Sequence, residues 1–368
     1  MSTIEDIQFM KMALEMSLKG VGFVNPNPLV GAVIVKDGEV IGKGYHAYFG
    51  GPHAEVIAIQ NAPENIEGST IYVTLEPCNH QGKTPPCTDK LIREKFDRVV
   101  IGMKDPNILV NGSGIKKLQE AGIKVETGVL ENEIKASNET YIKFITTQKP
   151  FCTLKTAMTL DGKISTYSGE SKWISNEKSR NWAHKLRHRY AAIMVGVNTI
   201  IKDNPMLTDR LKNDKNSNPV RIIADSNGRT PLNAAILNTK EAKTIIAITK
   251  NTNSNFVDAV KEKGAEVIVC PENNKKIDLN FLIDELGKRG IDSILLEGGS
   301  TLNFSAIQAG IVDKVYSFIS PKMFGGQTAN TPVGGAGFKN VQDAITLNID
   351  DIKRFDEDLM ITAYIIQN

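Results

Sequence analysis

Apolar positions recur along this chain in two rhythms, and they predict alternating helices and strands. Ile7, Met10, Leu14 and Leu18 stand at helical spacing, and Gly20 closes the run. Val30 to Val35 is a compact apolar stretch, Asp37-Gly38 is a hairpin turn signal, and Val40-Ile41 resumes the strand. Further strands are predicted at 70–75, 98–102 and 123–127, and helices at 53–60, 88–95 and 113–121. A loop rich in glycine and proline fills 76–86. This alternation predicts a three-layer α/β domain ending near residue 145. Gln148-Lys149-Pro150 reads as a joint, so the expected domains are 1–147 and 148–368. A second alternation follows, with strands at 151–157, 191–195, 220–224, 244–248, 266–269, 293–296 and 314–319. Helices are predicted at 177–190, 255–263, 279–289 and 301–308, again α/β with its own core. The segment 213–218 is polar enough to be a loop.

Composition narrows the class. At 368 residues the chain exceeds what one core usually supports, which agrees with two domains. No apolar run reaches the ~18 residues of a membrane span, and no signal peptide is expected at the N-terminus. A net charge of +2 without a long basic tract argues against nonspecific nucleic-acid binding. Of the four cysteines, Cys152 and Cys270 lie in apolar runs and read as buried thiols, which suits a reducing cytoplasm.

The other two cysteines carry chemistry. His53-Ala54-Glu55, Glu76-Pro77-Cys78 and Pro86-Cys87 can supply one imidazole and two thiolates to a zinc ion. Three protein ligands leave the fourth tetrahedral position open, the arrangement of a catalytic rather than a structural site. Glu55, two residues past the histidine, is placed to shuttle a proton for a metal-activated water. The reaction class is hydrolytic loss of an exocyclic amine from a nucleobase-like ring. The bland alternative is a closed site with His80 or His46 as fourth ligand; such a site has no use for Glu55. The usual deaminase signature has two residues between its cysteines. Here eight intervene, from Asn79 to Pro86, and the longer loop carries Lys83.

With those residues in view, the chain resembles the bifunctional riboflavin-biosynthesis deaminase/reductase family. The matching segments are 25–31, His53-Ala54-Glu55, 74–80, 82–87 and Asp105-Pro106-Asn107. In the second half they are 154–155, 160–163, 168–175, 203–208 and Leu296-Glu297-Gly298-Gly299. The family typically has a proline directly after Asn107; this chain has Ile108. The resemblance implies a cytidine-deaminase-like α/β/α domain and a dihydrofolate-reductase-like α/β domain. It implies zinc in the first and NADPH in the second. The implied substrate is 2,5-diamino-6-ribosylamino-4(3H)-pyrimidinone 5′-phosphate, deaminated and then reduced from ribosyl to ribityl. Homo-oligomers, dimers or tetramers, are common in the family. A zinc deaminase for a tRNA base or other nucleobase, with an unrelated second half, is the competing reading. It calls for a basic groove and leaves the second half without a purpose.

In the first pocket Lys83 and His46 are candidates for the phosphate and ribose end, and Asn27 and Asn107 for base or ribose hydroxyls. In the second, the resemblance implies substrate contacts at Ser171, Arg187, Leu207, Arg210 and Glu297. It implies cofactor contacts at Ala157, Trp173, Thr199, Asp203 and Ser226. Arg187 and Arg210 suit a phosphate because a guanidinium donates two parallel hydrogen bonds. Gly299-Ser300-Thr301 follow a predicted strand and open a helix, where backbone amides can approach a pyrophosphate. Ser226 with Arg229 are placed to meet an adenosine 2′-phosphate. Lys155 and Ser175 are further candidates for the lining.

Overall fold

The computed structural model describes residues 3–63, 65–79, 85–108, 110–211 and 218–366. The chain divides into two compact units, Met1–Gln148 and Lys149–Asn368.

The first unit runs α1 (Ile4–Ser17), β1 (Gly31–Lys36), β2 (Glu39–Tyr45), α2 (Ala54–Gln60), β3 (Thr70–Leu75), α3 (Cys87–Arg93) and β4 (Arg98–Met103). It closes with α4 (Ser113–Glu120), β5 (Lys124–Thr127), α5 (Glu131–Ser137) and α6 (Glu139–Thr147). The sheet order is β2-β1-β3-β4-β5. β1 pairs antiparallel with β2 and β3, and the rest is parallel. Successive strand residues face opposite sides. Ile34, Val73 and Ile101 pack under α2, α3 and α4, while Val33, Tyr72 and Val100 pack against α1, α5 and α6. This is the predicted three-layer α/β/α fold. Helices α5 and α6 were not predicted; they cover the second face.

Two local features hold this unit in register. Helix α1 starts with a capping box in which Thr3 and Asp6 satisfy each other's backbone amides. Asp6, almost fully buried, also accepts from Arg98 Nη1 at 2.8 Å and Tyr72 Oη at 2.9 Å. Helix α2 lies directly on β2 because Gly42 and Gly44 have no side chains. A Cβ at Gly44 would meet the Ala58 nitrogen at 2.3 Å and the Ala54 oxygen at 2.4 Å.

The second unit begins with β6 (Phe151–Thr159), α7 (Glu177–Arg189), β7 (Ala192–Gly196), α8 (Val197–Asp203), β8 (Val220–Ala224) and β9 (Thr244–Thr249). It continues with α9 (Ser254–Glu262), β10 (Glu266–Cys270), the small hairpin β11 (Glu272–Asn273) and β12 (Lys276–Ile277), and α10 (Leu279–Lys288). Its last elements are β13 (Ser293–Gly298), α11 (Ser300–Gln308), β14 (Lys314–Ser320), β15 (Leu347–Phe355) and β16 (Asp358–Ile365). The large sheet has the order β10-β9-β8-β7-β13-β6-β14-β16-β15. It is parallel from β10 to β14, and β16 and β15 close it antiparallel. All seven predicted strands of this half form. Helix α8 and the β15–β16 hairpin were not predicted. β15 is an edge strand whose Ile349 and Ile352 remain exposed, so no inward apolar face marks it.

Candidate active sites

The three metal-ligand candidates come together at the carboxyl end of the first sheet. His53 is the N-cap of α2, Cys87 opens α3, and Cys78 lies in the loop after β3. Their ligand atoms all lie within 4.8 Å of one another. His53 Nδ1 is 3.2 Å from Cys87 Sγ and 3.5 Å from Cys78 Sγ. A tetrahedral zinc with bonds of about 2.0 Å to nitrogen and 2.3 Å to sulfur separates such donors by roughly 3.5 Å. The set therefore fits zinc in both chemistry and span.

Electrostatics couple the three groups and favour the ligating form at Cys78 alone, so zinc must displace the protons held on Cys87 and His53. The Cys87 thiol hydrogen-bonded to Cys78, helped by His53, holds Cys78 at about 4, and the proton the two sulfurs share drives Cys87 up. The Cys78 hydrogen bond also lifts His53 to about 9 against its burial. Glu55, in the first turn of α2, is only 4% exposed, and burial raises its carboxyl while His53 opposes this. A raised carboxyl suits a group that must both take and return a proton.

The expected ribose and base contacts divide. Asn27 Nδ2 donates to His46 Nε2 at 3.0 Å, and His46 Nδ1 donates to the Pro52 carbonyl at 3.0 Å. Burial holds the His46 ring below its usual range, and the ring stands edge-on to His53 at 5.9 Å. A neutral histidine with both nitrogens engaged is a poor phosphate donor. These two bonds hold the His46 ring and the Asn27 amide together. Asn107 sits in a turn held by the buried Asp105, whose carboxylate accepts from the Asn107 amide and the Tyr141 hydroxyl, each at 2.9 Å. Lys83 lies outside the described residues.

Glu76, present in the motif but given no role there, proves central. Its buried carboxylate accepts from the amides of Asp105, Gly112, Gly114 and Ile115 at 3.0–3.3 Å. It thereby ties the Cys78 loop to the Asn107 loop.

In the second unit, Arg187 on α7 meets Glu297 at the end of β13 fork to fork. The fork expected to face a phosphate is thus engaged by a carboxylate. Burial pushes Glu297 up, but Arg187, with Lys155 and His184 behind it, holds it at about 2. Lys155 on β6 is lowered chiefly by burial, and its Nζ stands over the Phe318 ring at 5.5 Å. His184, one turn before Arg187, was missed; its Nδ1 is shut from solvent with no hydrogen-bond partner, and Arg187 and Arg210 act on it electrostatically. Its signal was helical spacing from Arg187. Arg210 itself is exposed. The Leu207 side chain packs into the core at φ +51, which leaves only its backbone for a contact, and buried Arg221 donates to the neighbouring Met206 carbonyl.

A cavity of about 490 Å³ opens across the carboxyl ends of β7, β8 and β13, where α/β sheets bind ligands. Thr199, Asp203, Ser226, Gly299, Ser300 and Thr301 all line it. Ser171, expected at the substrate, lines it too. Gly299 caps α11 at φ +100, a conformation that keeps the turn free of a side chain. Four cations and the exposed start of α11 give walls suited to a polyanionic dinucleotide. Ala157 and Trp173 are not among the lining residues. The Trp173 ring instead lies 4.5 Å from the Arg180 guanidinium, and its carbonyl accepts from Lys322.

Residues 3–103 match the cytidine and deoxycytidylate deaminase zinc-binding region, and residues 150–361 match the RibD C-terminal domain. The chain is 46% identical to the riboflavin biosynthesis protein RibD of Actinobacillus pleuropneumoniae, over 99% of this chain and 96% of that one. It belongs to the RibD family. A second RibD relative, from Aquifex aeolicus, is 43% identical over 97% of each chain. The solved deaminase/reductase of Thermotoga maritima superposes with a TM-score of 0.87 at 38% identity, covering 98% of this chain and 99% of that one. As a RibD-family protein the chain is a bifunctional deaminase and reductase of riboflavin biosynthesis, with zinc and NADPH as cofactors. Among the described residues no helix is long and apolar enough to cross a membrane.

Proposed function

We propose that the two sites act in turn on 2,5-diamino-6-ribosylamino-4(3H)-pyrimidinone 5′-phosphate. Residues 1–147 form the deaminase and 148–368 the reductase, with cytoplasmic location and a dimeric or tetrameric assembly carried over from the resemblance. The observation that carries this reading is the open His53–Cys78–Cys87 set with buried Glu55 beside it, in one chain with the Arg187–Glu297 cluster.

Zinc, held by His53, Cys78 and Cys87, supplies the Lewis acidity that makes water a nucleophile at neutral pH. Glu55 takes one proton from the attacking water and passes it to the ring nitrogen, then relays the second, from the new hydroxyl, to the leaving amine. A C–O bond forms, the C–N bond breaks, and ammonia leaves. Asn27, oriented by His46, and Asn107 contact the base or ribose, and Lys83 serves the phosphate end.

NADPH supplies the hydride for the second reaction. The ribosyl C1′ gains it, the ring C–O bond breaks, and the sugar oxygen takes a proton. Glu297 orients the sugar hydroxyls, and Lys155 behind it is the proton donor for that oxygen. Arg187 holds Glu297 ionised, while Arg210 and Ser171 serve the substrate. Thr199, Asp203, Ser226 and 299–301 hold the cofactor. A tRNA substrate is disfavoured by the net charge of +2 and by the second unit.

The test is a coupled assay with zinc-loaded protein and the diaminopyrimidinone ribosyl phosphate, comparing wild type with Glu55→Gln. Ammonia release followed by NADPH oxidation, both lost in the variant, is expected. NADPH oxidation that survives without ammonia would reverse the order. Absence of turnover in wild type would remove this substrate.

A further inference from the structure

The β11–β12 hairpin is short and bears its charge at an unusual place. Glu272 pairs with Ile277 and Asn273 with Lys276, leaving Asn274 and Lys275 as the two-residue turn. Both turn residues have positive φ, +50 and +62. Such a turn favours Asn-Gly, because a side chain at the second position crowds the backbone. Here that position holds a lysine. Lys275 and Lys276 both line the cavity at the carboxyl ends of the strands.

The hairpin is fastened on both sides. The Ile277 amide donates to Ser226 Oγ at 3.1 Å, and Asn251 Nδ2 donates to Glu272 at 2.8 Å. Lys276 Nζ reaches Ser305 on α11 at 3.4 Å. Opposite stands the loop after β8, whose shape is set by buried Asp225. Its carboxylate accepts from the amides of Arg229 and Thr230 at 2.9 and 2.8 Å. Arg229 then extends to Asn198 at 2.9 Å and also lines the cavity. Arg229, Lys275, Lys276 and Lys202 face a single lining carboxylate, Asp203.

Strand order gives the cavity a direction. The Arg187–Glu297 cluster and Ser171 belong to the β6 and β13 side, where a hydride must be delivered. The α11 start lies next, and the loop after β8 and the hairpin after β10 lie farthest away. A dinucleotide laid along this line, nicotinamide toward Glu297, brings its adenosine ribose to the hairpin.

We propose that the Lys275–Lys276 hairpin, with Arg229, forms a clamp for the 2′-phosphate of the cofactor, and that the lysine at the turn is the residue that discriminates NADPH from NADH. This rests on the reading of the cavity as the nicotinamide-cofactor site. It adds the hairpin as the specificity element, in place of Ser226, whose hydroxyl the hairpin engages.

The experiment is calorimetric titration of the full zinc-loaded chain with NADP⁺, NAD⁺, 2′,5′-ADP and 5′-ADP. The variants are Lys275→Gly and Lys276→Met. Lys275→Gly removes the charge but gives the turn its preferred residue, so its melting temperature should hold or rise. The expected result is a loss of at least about tenfold in NADP⁺ and 2′,5′-ADP affinity in each variant. Affinity for NAD⁺ and 5′-ADP should stay within about twofold, since neither carries the group the lysines would bind. Unchanged NADP⁺ affinity in both variants, or equal losses for both cofactors, would overturn the clamp. A wild-type chain that bound neither dinucleotide would overturn the cavity reading beneath it.

Discussion

Arg187 clasps Glu297 through both arms of its guanidinium, Nε to Oε1 at 2.8 Å and Nη2 to Oε2 at 2.6 Å. Both side chains are largely buried, so removing either leaves the other as an uncompensated charge. Such losses cost about 3–5 kcal/mol. Arg187→Met should therefore lower the melting temperature of the second unit and abolish NADPH oxidation, with ammonia release retained. Parallel loss of both activities would show that the pair does not belong to the reductase alone.

The same pair sets an acid limit. Glu297 is held at about 2, below its usual 4.5. Its folded value is the lower one, so its stabilisation is full above pH 4.5 and disappears as pH falls toward 2. Acid unfolding followed by circular dichroism should show wild type losing stability through this window. Glu297→Gln should lose less there, although it starts less stable at neutral pH.

Glu76 gathers four amides on one carboxylate. Glu76→Gln turns one acceptor oxygen into a donor that faces those amides, at a cost of roughly 1–3 kcal/mol. We expect faster zinc release to a chelator and a raised KM for deamination, with NADPH oxidation of pre-deaminated substrate unchanged. Zinc retention equal to wild type would break the proposed tie between the two loops.

In the proposed reduction Lys155 gives a proton to the opened sugar, and burial draws its ammonium below the usual 10.5. The rate of reduction should then fall on an alkaline limb lying below pH 10.5, where Lys155 loses its proton. Lys155→Met should reduce kcat by roughly 10²–10⁴-fold and remove that limb. An alkaline limb unchanged in the variant would point to another donor.

Legibility followed how much of the physics was local. The strands at 70–75 and 220–224 were readable because continuous apolar runs between turn signals have few other solutions. The ligand set was readable because metal chemistry restricts both residue type and spacing. What escaped was relational. β15 hides its strand character because its Ile349 and Ile352 face outward. The partners of the His46 ring, the Pro52 carbonyl and Asn27, are likewise set by the fold and not by spacing. Glu76 depends on amides 29–39 positions away, a relation no local pattern carries.

The bare backbone of Gly44 has a consequence for metal loading. Because α2 rests on β2 with no side chain between them, the strand sets the height at which the helix carries His53 at its tip. Any replacement at Gly44 acts as a shim under the helix, lifting the imidazole while Cys78 and Cys87 stay with β3 and α3. Zinc stoichiometry thus becomes a caliper for the spacing between a hairpin that holds no ligand and the helix whose tip carries one.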